Sequence, residues 1–185
     1  MDATLIAAAA LTLAGSIPLV ARVKREYEGD GVLSDPTVAA VWVLYGAIVV
    51  VVVLAAAVGV WQVGLARGVA AVVGVVLLLA GLCLEFWGLA SMASFRRMSG
   101  MQPDRLIDRG AFRYSRNPQN VGIGMALTGI ALIGGSGLAV LVAAGFWAIF
   151  RVYVGYEEEH LSRTFGNAYD RSRRRAPRFL GSPQR

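Results

Sequence analysis

Apolar residues in this chain come in long unbroken blocks rather than at the three-to-four-residue spacing of an amphipathic surface helix. Three such blocks, about residues 4–21, 38–60 and 69–92, are each long enough to cross the ~30 Å hydrocarbon core of a bilayer as helix. The second is rich in valine, yet far too long for a soluble strand. Pro18 is expected to kink the inner end of the first. After a polar stretch at 93–119 come two shorter apolar runs, 120–133 and 138–154, joined by Gly134, Gly135, Ser136 and Gly137. The first of this pair reaches only about 21 Å at ~1.5 Å per residue. This hairpin is therefore expected to sit shallow or to distort the bilayer locally. The pattern predicts an all-α, polytopic membrane protein of about five transmembrane helices with a C-terminal cytoplasmic helical segment. One membrane-embedded domain covers 1–185, with three spans in 1–92 and a polar loop, a hairpin and a tail in 93–185.

Charge supplies the orientation. The first block is preceded by Asp2 and no basic residue, whereas a cleaved signal peptide carries its positive charge first, so a retained span is expected. With five spans and the N-terminus outside, 16 of the 18 Lys and Arg residues fall in the inner loops and tail, Arg151 lies near the inner end of the last run, and Arg67 alone is outside. The positive-inside rule then makes the polar loop and the C-terminus cytoplasmic. A formal charge of +6 could suggest nucleic acid, but the basic residues flank membrane spans and lack the aromatic interleaving of a stacking surface, so no nucleic-acid partner is expected. The single cysteine, Cys83, sits in an apolar run and excludes an intrachain disulfide.

The chemistry collects at the inner face. Arg105, Arg109, Arg113 and Arg116 recur at helical intervals before Pro118, so any helical part there would stack them on one face suited to anions. The last apolar run is expected to continue as helix through Tyr156-Glu157-Glu158-Glu159-His160 to Phe165, with Gly166 as terminator. Glu157 then shares a stripe with Tyr153, Leu161 and Phe165, an unusual place for an acid. Glu159 points the other way and pairs with Arg163 in solvent. Glu157 and Glu158 are the candidate ligand-binding acids. Their mixture with arginines suits a zwitterion, since glutamate receives ammonium or ribose hydroxyls while arginine grips a carboxylate. One histidine and no carboxylate repeat provide no metal site. His160, beside three glutamates, is expected to be solvated.

Glu85 lies about seven residues inside the third span, where an ionisable group is costly and often functional. It either lines an acceptor channel or is a packed, protonated carboxyl paired to a loop arginine. Gly74, Gly81 and Gly88 recur every seven residues beside it and form a narrow face for a neighbouring helix. The G-x-G at Gly122 and Gly124 follows no strand and opens a membrane helix, so with Ala126 and Gly129 it reads as a close-packing surface.

Two segments carry a family resemblance. The run Arg113-Tyr114-Ser115-Arg116-Asn117-Pro118-Gln119-Asn120-Val121-Gly122 resembles the R-Y-x-R-H-P-x-Y-x-G motif of the isoprenylcysteine carboxyl methyltransferase and phospholipid methyltransferase group of membrane methyltransferases. The tail is similar to the same group's E-E-x-x-L-x-x-x-F-G-x-x-Y-x-x-Y-x-x-x-x-P-R-F at Glu157, Glu158, Leu161, Phe165, Gly166, Tyr169, Pro177, Arg178 and Phe179. The resemblance covers about residues 105–180.

It implies an integral-membrane enzyme that uses S-adenosylmethionine on the cytoplasmic side and takes a lipophilic or prenylated acceptor, or a membrane lipid, from the bilayer. Carried over position by position, Arg113, Tyr114, Arg116, Asn117, Pro118, Asn120, Gly122, Glu157 and Glu158 would hold the cofactor. Arg173 and Glu157 would be catalytic, and Glu85, Tyr169 and Arg173 would meet the acceptor. Asn117, Asn120 and Ser172 replace a histidine and two tyrosines of the pattern. Asparagine at 117 keeps hydrogen bonding but cannot titrate. With no persuasive base in the sequence, the expected acceptor leans toward a carboxylate or another group that is already nucleophilic. The rival readings are a membrane reductase with a nicotinamide cofactor and a non-enzymatic scaffold whose basic tail grips anionic lipid.

Overall fold

The computed structural model describes residues 1–64, 66–92 and 106–183. Among them are six α-helices, one 3-10 turn and no strand: α1 (Asp2–Gly29), α2 (Asp35–Val58), α3 (Arg67–Met92), α4 (Pro118–Gly134), α5 (Gly137–Phe165) and α6 (Asn167–Arg175), with the 3-10 turn at Gly110–Arg113. The first half of the polar loop, with Arg105, lies outside the described residues.

Helices α1, α2, α3 and α5 are long and apolar enough to cross a membrane, and much of each faces outward. Their exposed valines and leucines, such as Val50, Val72, Val76 and Leu79, suit lipid contact rather than water. The chain is an all-α polytopic membrane protein. Helix α1 runs unbroken through Pro18. The fifth apolar helix, α4, has 17 residues, or about 26 Å, still short of a full crossing. It packs against α2, α3 and α5. Long neighbours therefore cover much of its surface.

The α3–α4 contact is antiparallel and depends on glycine. A methyl group at Gly74 would lie 2.8 Å from the Gly129 carbonyl, and one at Gly81 within 2.7 Å of the Ala126 nitrogen. The seven-residue glycine repeat thus forms the close-packing face, and Gly122, Ala126 and Gly129 of α4 supply its partner, while Gly124 meets the Trp147 ring of α5. At one end of the bundle, the α2–α3 link and the α4–α5 turn bond to each other, Gly137 N–H donating to the Trp61 carbonyl at 2.8 Å and Ser136 Oγ to the Val60 carbonyl at 2.7 Å. At the opposite end, Glu26 on α1 accepts from the Ser34 backbone N–H at 2.9 Å and from Thr37 Oγ1 at 2.5 Å, fixing the entry to α2. That second end carries the polar cluster.

Candidate functional site

Among the described residues, the predicted arginine face does not form as a helix. Only Gly110–Arg113 make a 3-10 turn, and Arg109 before it is extended. Arg109 and Arg113 are exposed, whereas Arg116, past the turn, points inward. Residues 177–181 fold back as a strap over this loop. Arg116 N–H donates to the Pro177 carbonyl at 2.9 Å and Gly181 N–H to the Tyr114 carbonyl at 3.0 Å. The Phe179 ring packs edge-on against Phe150 of α5.

Under the strap lies an ion cluster. Glu158 Oε1 receives Arg116 Nη1 at 2.9 Å, and Glu158 Oε2 receives Arg178 Nη2 at 2.5 Å. Arg116 also donates to the Tyr169 hydroxyl at 3.1 Å. Glu158 is buried, so these charge-assisted bonds form where water competes poorly. Burial first, then the charge of Glu158, pushes the Tyr169 phenol up to about 12, and the bond to Glu158 raises the Arg178 guanidinium.

Next to this cluster is a cavity of about 180 Å³, lined by residues of all six helices and of the loop before α4. Hydrocarbon cavities of ~150 Å³ hold benzene, so this one admits a sizeable part of a ligand. Its polar wall includes Arg116, Asn117, Glu157, Glu158 and Tyr169, and its apolar wall includes Val38, Val41, Trp42 and Ile123. Glu85 and Asn120 also line it. Three side-chain atoms on the wall, Glu85 Oε2, Arg116 Nε and Gln119 Nε2, are buried with no hydrogen-bond partner among the described residues.

The other predicted site residues, Arg113, Tyr114, Pro118, Gly122 and Arg173, do not line this cavity. Tyr114 is partly exposed with its ring tilted against Trp87, Pro118 is fully buried at the start of α4, and Gly122 sits at the α3–α4 crossing. Arg173 is exposed on α6. The two glutamates of the pair are not equivalent. Glu158 is bound on both oxygens, while Glu157 lines the cavity and makes no hydrogen bond or ion pair with another described residue. Glu159 pairs in solvent with Arg163, as the helix periodicity predicted.

Both departures from the motif have partners. Asn117 Nδ2 donates to the Arg178 carbonyl at 3.0 Å and anchors the strap, and Asn120 Oδ1 accepts from the Tyr45 hydroxyl on α2. His160 corrects its expected solvation: it is buried, stacked on Tyr27 with ring centroids 4.4 Å apart, and on the cavity wall. The α1–α2 end covers it, which spacing along α5 does not reveal. Tyr45 and Gln119 were missed as site residues. Tyr45 had a readable signal, a phenol within the valine-rich second block.

The family model for phospholipid methyltransferase matches residues 69–168, more than half of the chain. No curated protein and no solved structure matches it. The chain belongs to the phospholipid methyltransferase family and is an integral-membrane methyltransferase acting on lipid.

Proposed function

We propose that this member of the phospholipid methyltransferase family draws its methyl group from S-adenosylmethionine, held in the cavity beneath the strap, for transfer to a lipophilic acceptor. The observation that carries the reading is the pairing of opposite unmet demands on one wall. Arg116 Nε is a buried donor with no partner, and Glu157 is a carboxylate with no cation. A ligand bearing both a carboxylate and an ammonium or ribose hydroxyls meets both demands. Glu158, the neighbouring carboxylate, is already paired on both oxygens with Arg116 and Arg178.

When bound, S-adenosylmethionine supplies an electrophilic sulfonium methyl. The residues bind and orient it. Arg116 takes the carboxylate, Glu157 takes the ammonium or ribose hydroxyls, and Asn117 holds the strap over them. Tyr169 and Glu158 keep the Arg116 guanidinium in place. Arg113 and Tyr114 frame the outside of the strap, and Arg173, exposed beyond it, meets the polar part of an arriving acceptor. Alignment of two reactants with water excluded provides much of the acceleration in such transfers. The apolar wall opens the site to a lipid or prenylated chain. The positive-inside rule makes the cavity end cytoplasmic.

The test is equilibrium binding of S-adenosylmethionine to the purified full-length protein, in detergent and in lipid nanodiscs. Saturable binding that weakens in Glu157→Ala is expected, and no binding in either medium overturns the reading. Radiolabelled methyl transfer into a total lipid and protein extract then identifies the acceptor.

A further inference from the structure

Two of the three orphaned atoms belong to a part of the wall not used by the cofactor reading. Glu85 on α3 and Gln119 on α4 lie at the same helix crossing and line the same cavity. A methyl group at Gly88, one turn beyond Glu85, would lie 2.7 Å from Gln119 Cγ, and one at Gly122, one turn beyond Gln119, would lie 2.7 Å from the Glu85 backbone nitrogen. Yet Glu85 Oε2 and Gln119 Nε2 bond neither to each other nor to another described residue. Both side chains line the cavity beside apolar Met92 and Ile123. The neighbouring Tyr45 hydroxyl is taken by Asn120. Buried polar atoms are rarely left unpaired, because desolvation without a partner is unfavourable. An acceptor and a donor waiting together describe the complement of a head group.

We propose that Glu85 and Gln119 form the acceptor head-group subsite, and that it takes a protic nucleophile, an amine or hydroxyl on an amphiphile, whose proton passes to Glu85. This rests on the methyl-transfer reading above. The head group donates its N–H or O–H to Glu85 Oε2, and Gln119 Nε2 donates to a neighbouring oxygen or nitrogen of the same head group. In the transfer, the nucleophile's lone pair forms the bond to the methyl carbon, and the sulfonium C–S bond breaks toward sulfur. The nucleophile's proton moves to the Glu85 carboxylate, leaving a neutral acid. An amine enters this step as its free base. A carboxylate nucleophile brings no proton, leaves Glu85 Oε2 unpartnered and places two like charges in a site of low dielectric. On this proposal a protic acceptor replaces the expected leaning toward a carboxylate.

The test uses full-length protein in nanodiscs and three single-chain amphiphiles of equal chain length carrying an amine, a hydroxyl or a carboxylate. Binding of each is measured without S-adenosylmethionine, and methyl transfer is measured with it. The protic amphiphiles should bind more tightly than the carboxylate, and at least one should be methylated. Glu85→Gln should lower transfer by ~10²–10⁴-fold, the usual contribution of a positioned base, with S-adenosylmethionine affinity unchanged. Gln119→Leu should weaken amphiphile binding with Glu85 intact. Preferential methylation of the carboxylate, or wild-type rates in Glu85→Gln, overturns the proposal. If S-adenosylmethionine does not bind at all, the methyl-transfer reading fails separately. Amphiphile binding then decides the subsite, and a protic preference that disappears in Glu85→Gln upholds it while no such preference overturns it.

Discussion

Removing Glu158 should damage the fold far more than removing its neighbour Glu157. Glu158 and Arg116 form a pair at 2.9 Å with side chains only 10% and 12% exposed. Truncation to alanine leaves the Arg116 guanidinium buried with the Tyr169 hydroxyl as its remaining side-chain acceptor. Breaking a buried pair from one side costs ~3–5 kcal/mol, and the surviving Tyr169 bond favours the lower end. The second partner, Arg178, is 38% exposed, so screening by solvent holds its contribution below ~1 kcal/mol. A loss of ~3 kcal/mol corresponds to ~6–12 °C in Tm for a chain of this size. Thermal unfolding in detergent, followed by tryptophan fluorescence, measures it. Glu157→Ala strands no cation and should lose less than ~1 kcal/mol. Replacing both partners, Glu158→Leu with Arg116→Leu, should recover most of the loss, because an apolar pair removes the stranded charge. Equal shifts for Glu157→Ala and Glu158→Ala, or a double variant as unstable as the sum of its single variants, would refute the assignment of Glu158 as a clamp.

Other outcomes follow from the same geometry. Glu157→Ala should weaken S-adenosylmethionine binding by ~10–100-fold, the loss of one charged hydrogen bond, while Glu159→Ala, whose pair with Arg163 is solvent-exposed, leaves the titration curve unchanged. Gly122→Ala should cost ~1–3 kcal/mol by forcing α3 and α4 apart, since its methyl would lie 2.7 Å from the Glu85 nitrogen. Gly15→Ala, with nothing within 4 Å of the added methyl, should unfold no earlier than wild type. Tyr169, at about 12 in the folded protein against ~10 unfolded, keeps its proton longer when folded. Its contribution is therefore complete below pH ~10 and lost as pH rises toward ~12. Chemical denaturation across that range should show a steeper fall for wild type than for Tyr169→Phe.

The apolar blocks were legible because crossing a bilayer demands length and uniform hydropathy, properties of a contiguous segment. The spacing that separated Glu157 from Glu159 was legible for a similar reason, since helical periodicity sets direction within one helix. The glycine repeat on α3 showed that some helix would come close, and the short fourth run showed where a span would fall short. The partners were not contained in any one segment. Glu158 became a clamp because the strap at 177–181 returns to α5, and His160 became buried because the α1–α2 end covers it. Glu85 and Gln119 came to line one cavity because α3 and α4 run antiparallel at glycine distance. Local sequence determined which faces existed and what they carried. Contact between distant segments decided which polar groups were paired, which were desolvated and which were left for a ligand, because those outcomes depend on what excludes water from each group.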